Sequence, residues 1–320
     1  VFFDELAIPA PDVHLEVGSG SHGAQTARIL ERYEARLLES RPAATVVFGD
    51  VNSTVACALA AVKLEVPVAH VEAGLRSFDR RMPEEINRLL TDAVSGLLLV
   101  SEPSGLVNLQ REGVADEKVR LVGNVMIDTL LSQLDAARAR GTAARMGLAP
   151  REYGLVTLHR PSNVDDPTTL RRLVNLLNEL AESLPLVFPV HPRTQASAVR
   201  AGVGERLAGG QKRLICLPPL AYLDTLSLAD GARVVLTDSG GLQEESSVLF
   251  VPCLTLREST ERPSTIELGT SRLVGNDPDR IRRAFGQALD GDWPSGREIP
   301  LWDGKAGTRV ASELGAWLGA

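Results

Sequence analysis

The chain has 320 residues, 44% of them hydrophobic and 23% charged, and a formal net charge of −7. That length is comfortable for two domains, and the balance is that of a soluble globular chain. The acidic excess and an aromatic content of 4% argue against a phosphate-backbone binder or a stacking platform, so nucleic acid is not an expected partner.

In chain order, the opening VFFDELAIPAPD carries Asp4 and Glu5 and no basic stretch, so it reads as a chain entered midway and not as a signal peptide. VHLEV after Pro11 is expected to form a short strand. GSGSHG at 18–23 then matches Gly-x-Gly-x-x-Gly through Gly18, Gly20 and Gly23, with a helical stretch from Ala24 to Leu38 behind it and Asp50 ending the next strand. Two readings compete there: a nicotinamide or flavin site, and a loop that starts a helix. The preceding strand is short and holds His14 and Glu16, whereas a buried parallel strand reads as a continuous apolar run, which favours the second. ATVVFGD (44–50) reads as such a buried strand, and VNSTVACALAAVKL as its helix, capped by Asn52 or Ser53. VPVAHVEAG is a strand ending near Glu72 with an unusual polar tail of His70, Glu72 and Arg76. SFDRRMPEE leads into a helix from about Pro83. GLLLVS, a helix ended by Gly113, and VRLVG complete a first domain.

From Asn124 to about Arg151 a helical, alanine- and arginine-rich crossover leads to a second domain, which restarts the alternation. YGLVTLH, a helix over 167–183, LVFPVHP, RLICLP, a helix around Leu223–Leu228, ARVVLTD, a glycine turn with its helix, PCLTLR and SRLVG follow in turn. Strands alternating with helices predict parallel, doubly wound sheets. The cysteines Cys57, Cys216 and Cys253 are odd in number, widely spaced and set in apolar segments. They define no disulfide framework and no metal-ligand spacing, and a reducing cytoplasm fits them best. No apolar run reaches the about 18 residues of a membrane span.

In parallel α/β sheets functional groups gather just beyond the carboxyl ends of the strands. That rule collects Asp50, Glu72, His159, His191, Asp238 with the turn Ser239, Gly240 and Gly241, and the segment from Arg257 through Glu261 to Arg262. A strand, a glycine turn and a helix N-terminus leave backbone N–H groups and the helix dipole facing an anion. Each member also has a plainer reading: Asp50 and His191 as caps, Glu72 as a partner of Arg76, the turn as an ordinary βα connection. Their common strand-end position is what joins them. With the two sheets facing one cleft, carboxylates on one side and a phosphate turn on the other describe acid–base chemistry on a nucleotide-linked substrate.

The blocks HVEAGLRSFDRRMPEEINRLLTD, TLHRPSN, PVHPRT and LTDSGGLQEES followed by RESTERP, in that order over nearly the whole chain, resemble the non-hydrolysing UDP-N-acetylglucosamine 2-epimerases. The resemblance implies a GT-B fold of two Rossmann-like domains, usually a homodimer, with no metal or nicotinamide cofactor and no membrane partner. It implies a cytoplasmic enzyme that interconverts UDP-GlcNAc and UDP-ManNAc by removing the C2 proton, eliminating UDP to 2-acetamidoglucal and adding UDP back. By position, Asp50, Glu72 and Glu84 become the acid–base groups at the sugar, and His159 a catalytic group near the diphosphate. Ser239, Gly240, Gly241 and Arg262 become phosphate ligands, and Glu245 the group that holds the ribose hydroxyls. The expected domains are 1–123 on the sugar side and 124–295 on the UDP side, with a tail of 296–320 returning to the first.

Two departures stand out. The family's opening Gly-Thr/Ala-Arg-Pro loop has no counterpart, so the first domain is expected to lack its N-terminal βαβ portion in this sequence. His159, Arg160, Pro161, Ser162 and Asn163 stand where many members have His-Arg-Arg-Glu-Asn, which bears on the sugar accepted and on any allosteric use of substrate. Under the resemblance GSGSHG is a helix entry. A hydrolysing epimerase releasing ManNAc and UDP, a GT-B glycosyltransferase, and a nucleotide-sugar-binding regulator without catalysis are the alternatives.

Overall fold

Continuous apolar runs become parallel strands of two separate sheets in the computed structural model, which describes Leu6, residues 8–208 and residues 213–319. The first sheet holds β1 (Thr45–Phe48), β2 (Val68–Ala73), β3 (Leu97–Val100) and β4 (Val119–Leu121), side by side in that order. The second holds β5 (Gly154–Thr157), β6 (Leu186–Pro189), β7 (Leu214–Leu217), β8 (Val234–Thr237), β9 (Cys253–Thr255) and β10 (Ser271–Leu273), in the order β10-β9-β8-β5-β6-β7. All pairings are parallel. The second order is the doubly wound Rossmann one, in which the chain reverses direction across the sheet between β5 and β8.

The chain divides into two units, one of Pro9–Asp128 with Pro300–Ala320 and one built on Thr129–Ile299. In the first, Leu97, Leu98, Leu99 and Val100 of β3 are wholly buried, while β1 alternates and exposes Val46 and Phe48. The alanine-rich helix Asn52–Lys63 presses close to the sheet through Ala58, Ala60 and Ala61. On the other face Val310, Leu314 and Trp317 of the helix Ala306–Leu318 cover Ala69, Val71, Leu97, Leu99 and Val122. Gly123, at φ +87°, admits this tail: a side chain there would lie 2.1 Å from the Leu301 carbonyl oxygen. In the second unit the helix Pro167–Leu180, capped by Asp166 accepting from Thr169 N at 2.8 Å, buries Leu170, Leu173, Val174 and Leu177. Together with Ile281 and Phe285 these residues cover Val156, Phe188 and Leu236. Tyr153, Leu155, Val187 and Val235 form the opposite core with Leu228 and Leu242.

Four expectations change. ATVVFGD, expected as a buried strand, forms β1 with Val46 and Phe48 exposed. VHLEV forms no strand, and Gly-x-Gly-x-x-Gly therefore opens the helix His22–Ser40 without a strand before it, which removes the context a dinucleotide loop needs. Val51, not Asn52 or Ser53, caps the next helix, because the Asn52 amide is drawn to Gln25 Oε1 at 2.8 Å and His22 Nδ1 at 3.1 Å. The helix expected over 167–183 ends at Leu180. No described helix is long and apolar enough to cross a membrane.

Candidate active site

β1 and β2 are neighbours with Phe48 level with Val71, so Asp50, two residues past the end of β1, and Glu72, the next-to-last residue of β2, come together. Glu72 sits on a β-bulge, where the register against β3 slips between Val71 and Ala73, and its φ is +75°. A non-glycine residue held in the left-handed region costs about 1–3 kcal/mol and collects at functional sites, and a bulge re-aims a side chain. Here the carboxylate is aimed back over β1, with Oε2 3.5 Å from the place a Gly49 Cβ would take. Glu84, the third predicted acid, is half-buried in the first turn of the helix Pro83–Val94.

That helix is turned inside out. Glu85, Arg88 and Asp92 share its buried face at 2%, 2% and 3% exposure, while Ile86 and Leu90 face outward. Asp50 Oδ2 accepts from Arg88 Nη2 at 2.7 Å and Nε at 3.1 Å, and Arg88 Nη1 donates to Glu85 Oε2 at 2.6 Å. Glu85 also accepts from Ser77 N at 2.8 Å, Ser77 Oγ at 3.0 Å and Phe78 N at 2.9 Å. One turn on, Asp92 meets His70 Nδ1 at 2.6 Å, Gly74 N at 3.0 Å and Arg76 Nη2 at 2.7 Å. His70 Nε2 lies 2.8 Å from the Gly49 carbonyl, so it ties Asp92 to the residue before Asp50. Burial by itself would raise the Asp92 carboxyl, but the hydrogen bond and charge of His70, with Arg76, hold it below its ordinary value. Arg76 goes to Asp92 and, in a two-point contact at 2.7 Å, to Glu112, and is not the partner the sequence offered for Glu72.

In the second unit the ends of β5 and β8 define the switch point. Asp238, wholly buried, accepts from His159 N at 3.0 Å, Arg160 N at 2.9 Å and Asn163 Nδ2 at 3.1 Å, and His159 Nδ1 stands 3.0 Å from its Oδ1. The hydrogen bonds and the His159 charge outweigh burial and hold Asp238 below the usual carboxylate value. A carboxylate accepts only, so it selects the tautomer with hydrogen on Nδ1 and leaves Nε2 of the half-buried His159 as the outward nitrogen. The His191 ring lies 5.5 Å away, and its Nδ1 caps the helix Pro192–Arg200 by accepting from Arg193 N at 3.1 Å. Burial, then His159 and Arg193, push the His191 value down.

Ser239 caps the helix Gly240–Val248, its Oγ accepting from Leu242 N at 3.4 Å. Arg262 bridges Glu244, at 2.7 Å, and Glu261, and Glu261 in turn takes Arg257 at 2.6 Å. Two arginines and two glutamates are thus buried against the turn, and a Cβ on Gly240 would lie 2.7 Å from Arg262 Nη1. Glu245 lies on the same helix beside Tyr222, and burial pushes its carboxyl up to about 7. His159, Asp238, Ser239, Gly240, Gly241 and Arg262 therefore gather in one place, and Asp50 and Glu72 in another, each within its own unit. Sequence reasoning missed Glu85, Arg88, Asp92 and Glu112. The only signal was the charged i, i+3, i+7 spacing of the first three, which ordinarily marks a solvent face. Among the described residues no group of three or more His, Cys, Asp or Glu side chains is set to hold a metal ion.

A complete Rossmann sheet with a glycine turn and helix N-terminus at its switch point, joined to a second parallel sheet with carboxylates at its strand ends, makes up a two-domain α/β protein of the GT-B type. A family model described as UDP-N-acetylglucosamine 2-epimerase matches residues 1–315. The chain belongs to that family. It is 41% identical over 321 residues to the UDP-N-acetylglucosamine 2-epimerase of Methanocaldococcus jannaschii, covering 98% of this chain and 86% of the relative. It is also 41% identical, with the same coverage, to the UDP-2,3-diacetamido-2,3-dideoxy-D-glucuronate 2-epimerase of Pseudomonas aeruginosa. The crystal structure of the M. jannaschii enzyme in complex with UDP-GlcNAc and UDP superposes with a TM-score of 0.90 at 40% identity, over 98% of this chain and 87% of that one. A Neisseria meningitidis UDP-GlcNAc 2-epimerase bound to UDP-GlcNAc gives 0.88 at 27% identity, over 97% and 86%.

Proposed function

We propose that this protein interconverts UDP-GlcNAc and UDP-ManNAc without hydrolysis. A carboxylate among Asp50, Glu72 and Glu84 removes the C2 proton, and the C1–O bond to UDP breaks as the C1=C2 double bond of 2-acetamidoglucal forms. UDP then adds back at C1 and a second carboxylic acid delivers a proton to the opposite face of C2. Proton transfer of this kind needs paired carboxyl groups that differ in protonation. Ser239, Gly240, Gly241 and Arg262 hold the diphosphate, with His159 beside it, and Glu245 accepts from the ribose hydroxyls. No cofactor enters the cycle, and the working form is a cytoplasmic homodimer.

The observation that carries this reading is the pair Asp50 and Glu72 at adjacent strand ends, with Glu72 held at a left-handed bulge, in a chain of the epimerase family. Incubation with UDP-GlcNAc in D2O is expected to yield UDP-ManNAc carrying deuterium at C2; turnover without exchange at C2 defeats the reading. Free ManNAc plus UDP as products would instead mark a hydrolysing epimerase. Glu72→Gln is expected to abolish turnover and spare UDP affinity, and Arg262→Ala to weaken UDP binding. A second reading concerns the sugar alone. Equal identity to the P. aeruginosa relative makes the diacetamido-glucuronate nucleotide the competing substrate, and a comparison of kcat/KM for the two decides it.

A further inference from the structure

The structure fixes the orientation of Asp50 atom by atom. Both side-chain contacts of its carboxylate fall on Oδ2, from Arg88 Nη2 at 2.7 Å and Nε at 3.1 Å. Oδ1 has no hydrogen-bond partner among the described residues, and the side chain is 25% exposed. Asn87 Nδ2 fixes the same residue through its carbonyl oxygen at 2.8 Å. Arg88 is 2% exposed, and its third nitrogen, Nη1, donates to Glu85.

A buried ion pair is weak as a stabilising device, because desolvation offsets much of the attraction and an apolar side chain of like volume does as well. This helix has apolar side chains to offer, Ile86 and Leu90, and turns them outward. What the buried charges provide that leucine would not is a planar fork aimed at a strand-end carboxylate. Nε and Nη2 close on one oxygen while Nη1 is anchored behind, a geometry that lysine's single ammonium does not reproduce. Glu85, also fastened to Ser77 and Phe78, keeps the fork from swinging.

We infer that Arg88 is a positioning residue for Asp50: it clamps Oδ2 so that Oδ1 is the oxygen presented to substrate, and Glu85 anchors the clamp. The reaction affected is the one proposed above, so the inference rests on that reading for its substrate but not for its geometry. Arg88→Lys keeps the charge and loses the fork. A carboxylate displaced by about 1 Å loses on the order of 100-fold in rate. The expected result for Arg88→Lys is a kcat lower by about 30-fold or more, with KM and UDP affinity within about threefold. Glu85→Gln, which leaves the Asp50–Arg88 contact in place, is expected to give a smaller fall. The double variant is expected to be no worse than Arg88→Lys alone, since the two residues form one device.

A second readout needs no substrate: the 13C chemical shift of the Asp50 carboxyl at one fixed pH, assigned by its loss in Asp50→Asn. Arg88→Lys is expected to move that signal. A kcat within threefold of the parent, or a fall that only tracks the folded fraction with the Asp50 signal unmoved, overturns the inference. If the parent protein makes no UDP-ManNAc, the epimerase reading fails, and the Asp50 signal still decides whether the clamp exists.

Discussion

Gly240 and Gly241 adjoin in the turn yet have opposite surroundings. A Cβ on Gly240 would collide with the Arg262 guanidinium, Nη1 at 2.7 Å and Cζ at 3.0 Å, whereas one on Gly241 would meet only Ser239 Oγ, at 4.0 Å. Gly240→Ala must therefore disturb the buried arginine and lower both Tm and UDP affinity. Gly241→Ala meets no protein obstacle and gains up to about 1 kcal/mol of helix propensity, so its Tm should hold or rise. If phosphate lies over the turn, the same methyl group occupies ligand space, and UDP affinity measured by calorimetry should fall at least about tenfold. Unchanged affinity in Gly241→Ala would move the phosphate elsewhere. Glu245 adds a pH signature. Burial raises its value in the folded protein to about 7, above that of the unfolded chain, so the folded state takes up a proton. Its contribution to stability is full below about pH 4.5 and is lost as pH rises through 7. Ribose hydroxyls donating to the carboxylate favour the ionised form, so UDP binding should release a proton and strengthen between pH 6 and 8. Glu245→Gln should abolish the part of that dependence that UDP's own phosphate ionisation does not explain.

At the scale of elements, the helix Pro83–Val94 shows what was readable in the sequence and what was not. Its start was, from Pro83 at the first position and Glu84 and Glu85 in the first turn. Its orientation was not, because the pattern rule assigns polar side chains to solvent and this helix buries Glu85, Arg88 and Asp92. Their partners lie on β2, on the loop after it, and at Asp50, 7 to 38 residues away, and no local periodicity encodes such pairings. Buried strands such as β3 and β8 were legible as unbroken apolar runs, and strand-end Asp50, His159 and Asp238 as polar residues closing them. The Glu72 bulge was signalled only by a polar tail on an apolar strand. Asp92 offers the element-scale test. Its folded value is depressed, so its contribution is present above the ordinary carboxylate value and lost as pH falls through the folded one. Asp92→Asn keeps the shape and removes the charge facing His70 and Arg76. It should lower the urea midpoint at pH 7 and flatten its decline as pH falls below the ordinary carboxylate value of about 4. A decline as steep as the parent's would place the acid sensitivity elsewhere.

For the molecule as a whole, the chain begins one unit, builds the other and returns. The returning segment is held to the first sheet by Val310, Leu314 and Trp317, by Trp302 Nε1 donating to the Ser101 carbonyl at 3.0 Å, and by Arg120 paired with Glu313 at 3.1 Å. None of these residues belongs to the unit built on Thr129–Ile299, whose cores close on their own residues. The Trp317 ring lies over Gly96, its Cζ2 3.0 Å from the position a Gly96 side chain would take. Trp317→Ala should cost about 2–4 kcal/mol, less than a fully buried tryptophan because the ring is only partly covered. The loss belongs to the unit of Pro9–Asp128. In a urea titration followed by hydrogen exchange, protection of β2 and β3 should fail at lower denaturant than in the parent. Protection of β5 and β8 should fail where it did before. Saturating UDP should raise the second transition, by RT ln(1 + [UDP]/Kd), and leave the first where Trp317→Ala put it. If the substitution lowers both transitions together, the two units unfold as one cooperative body, and the assignment of UDP binding to one unit must be made from ligand contacts alone.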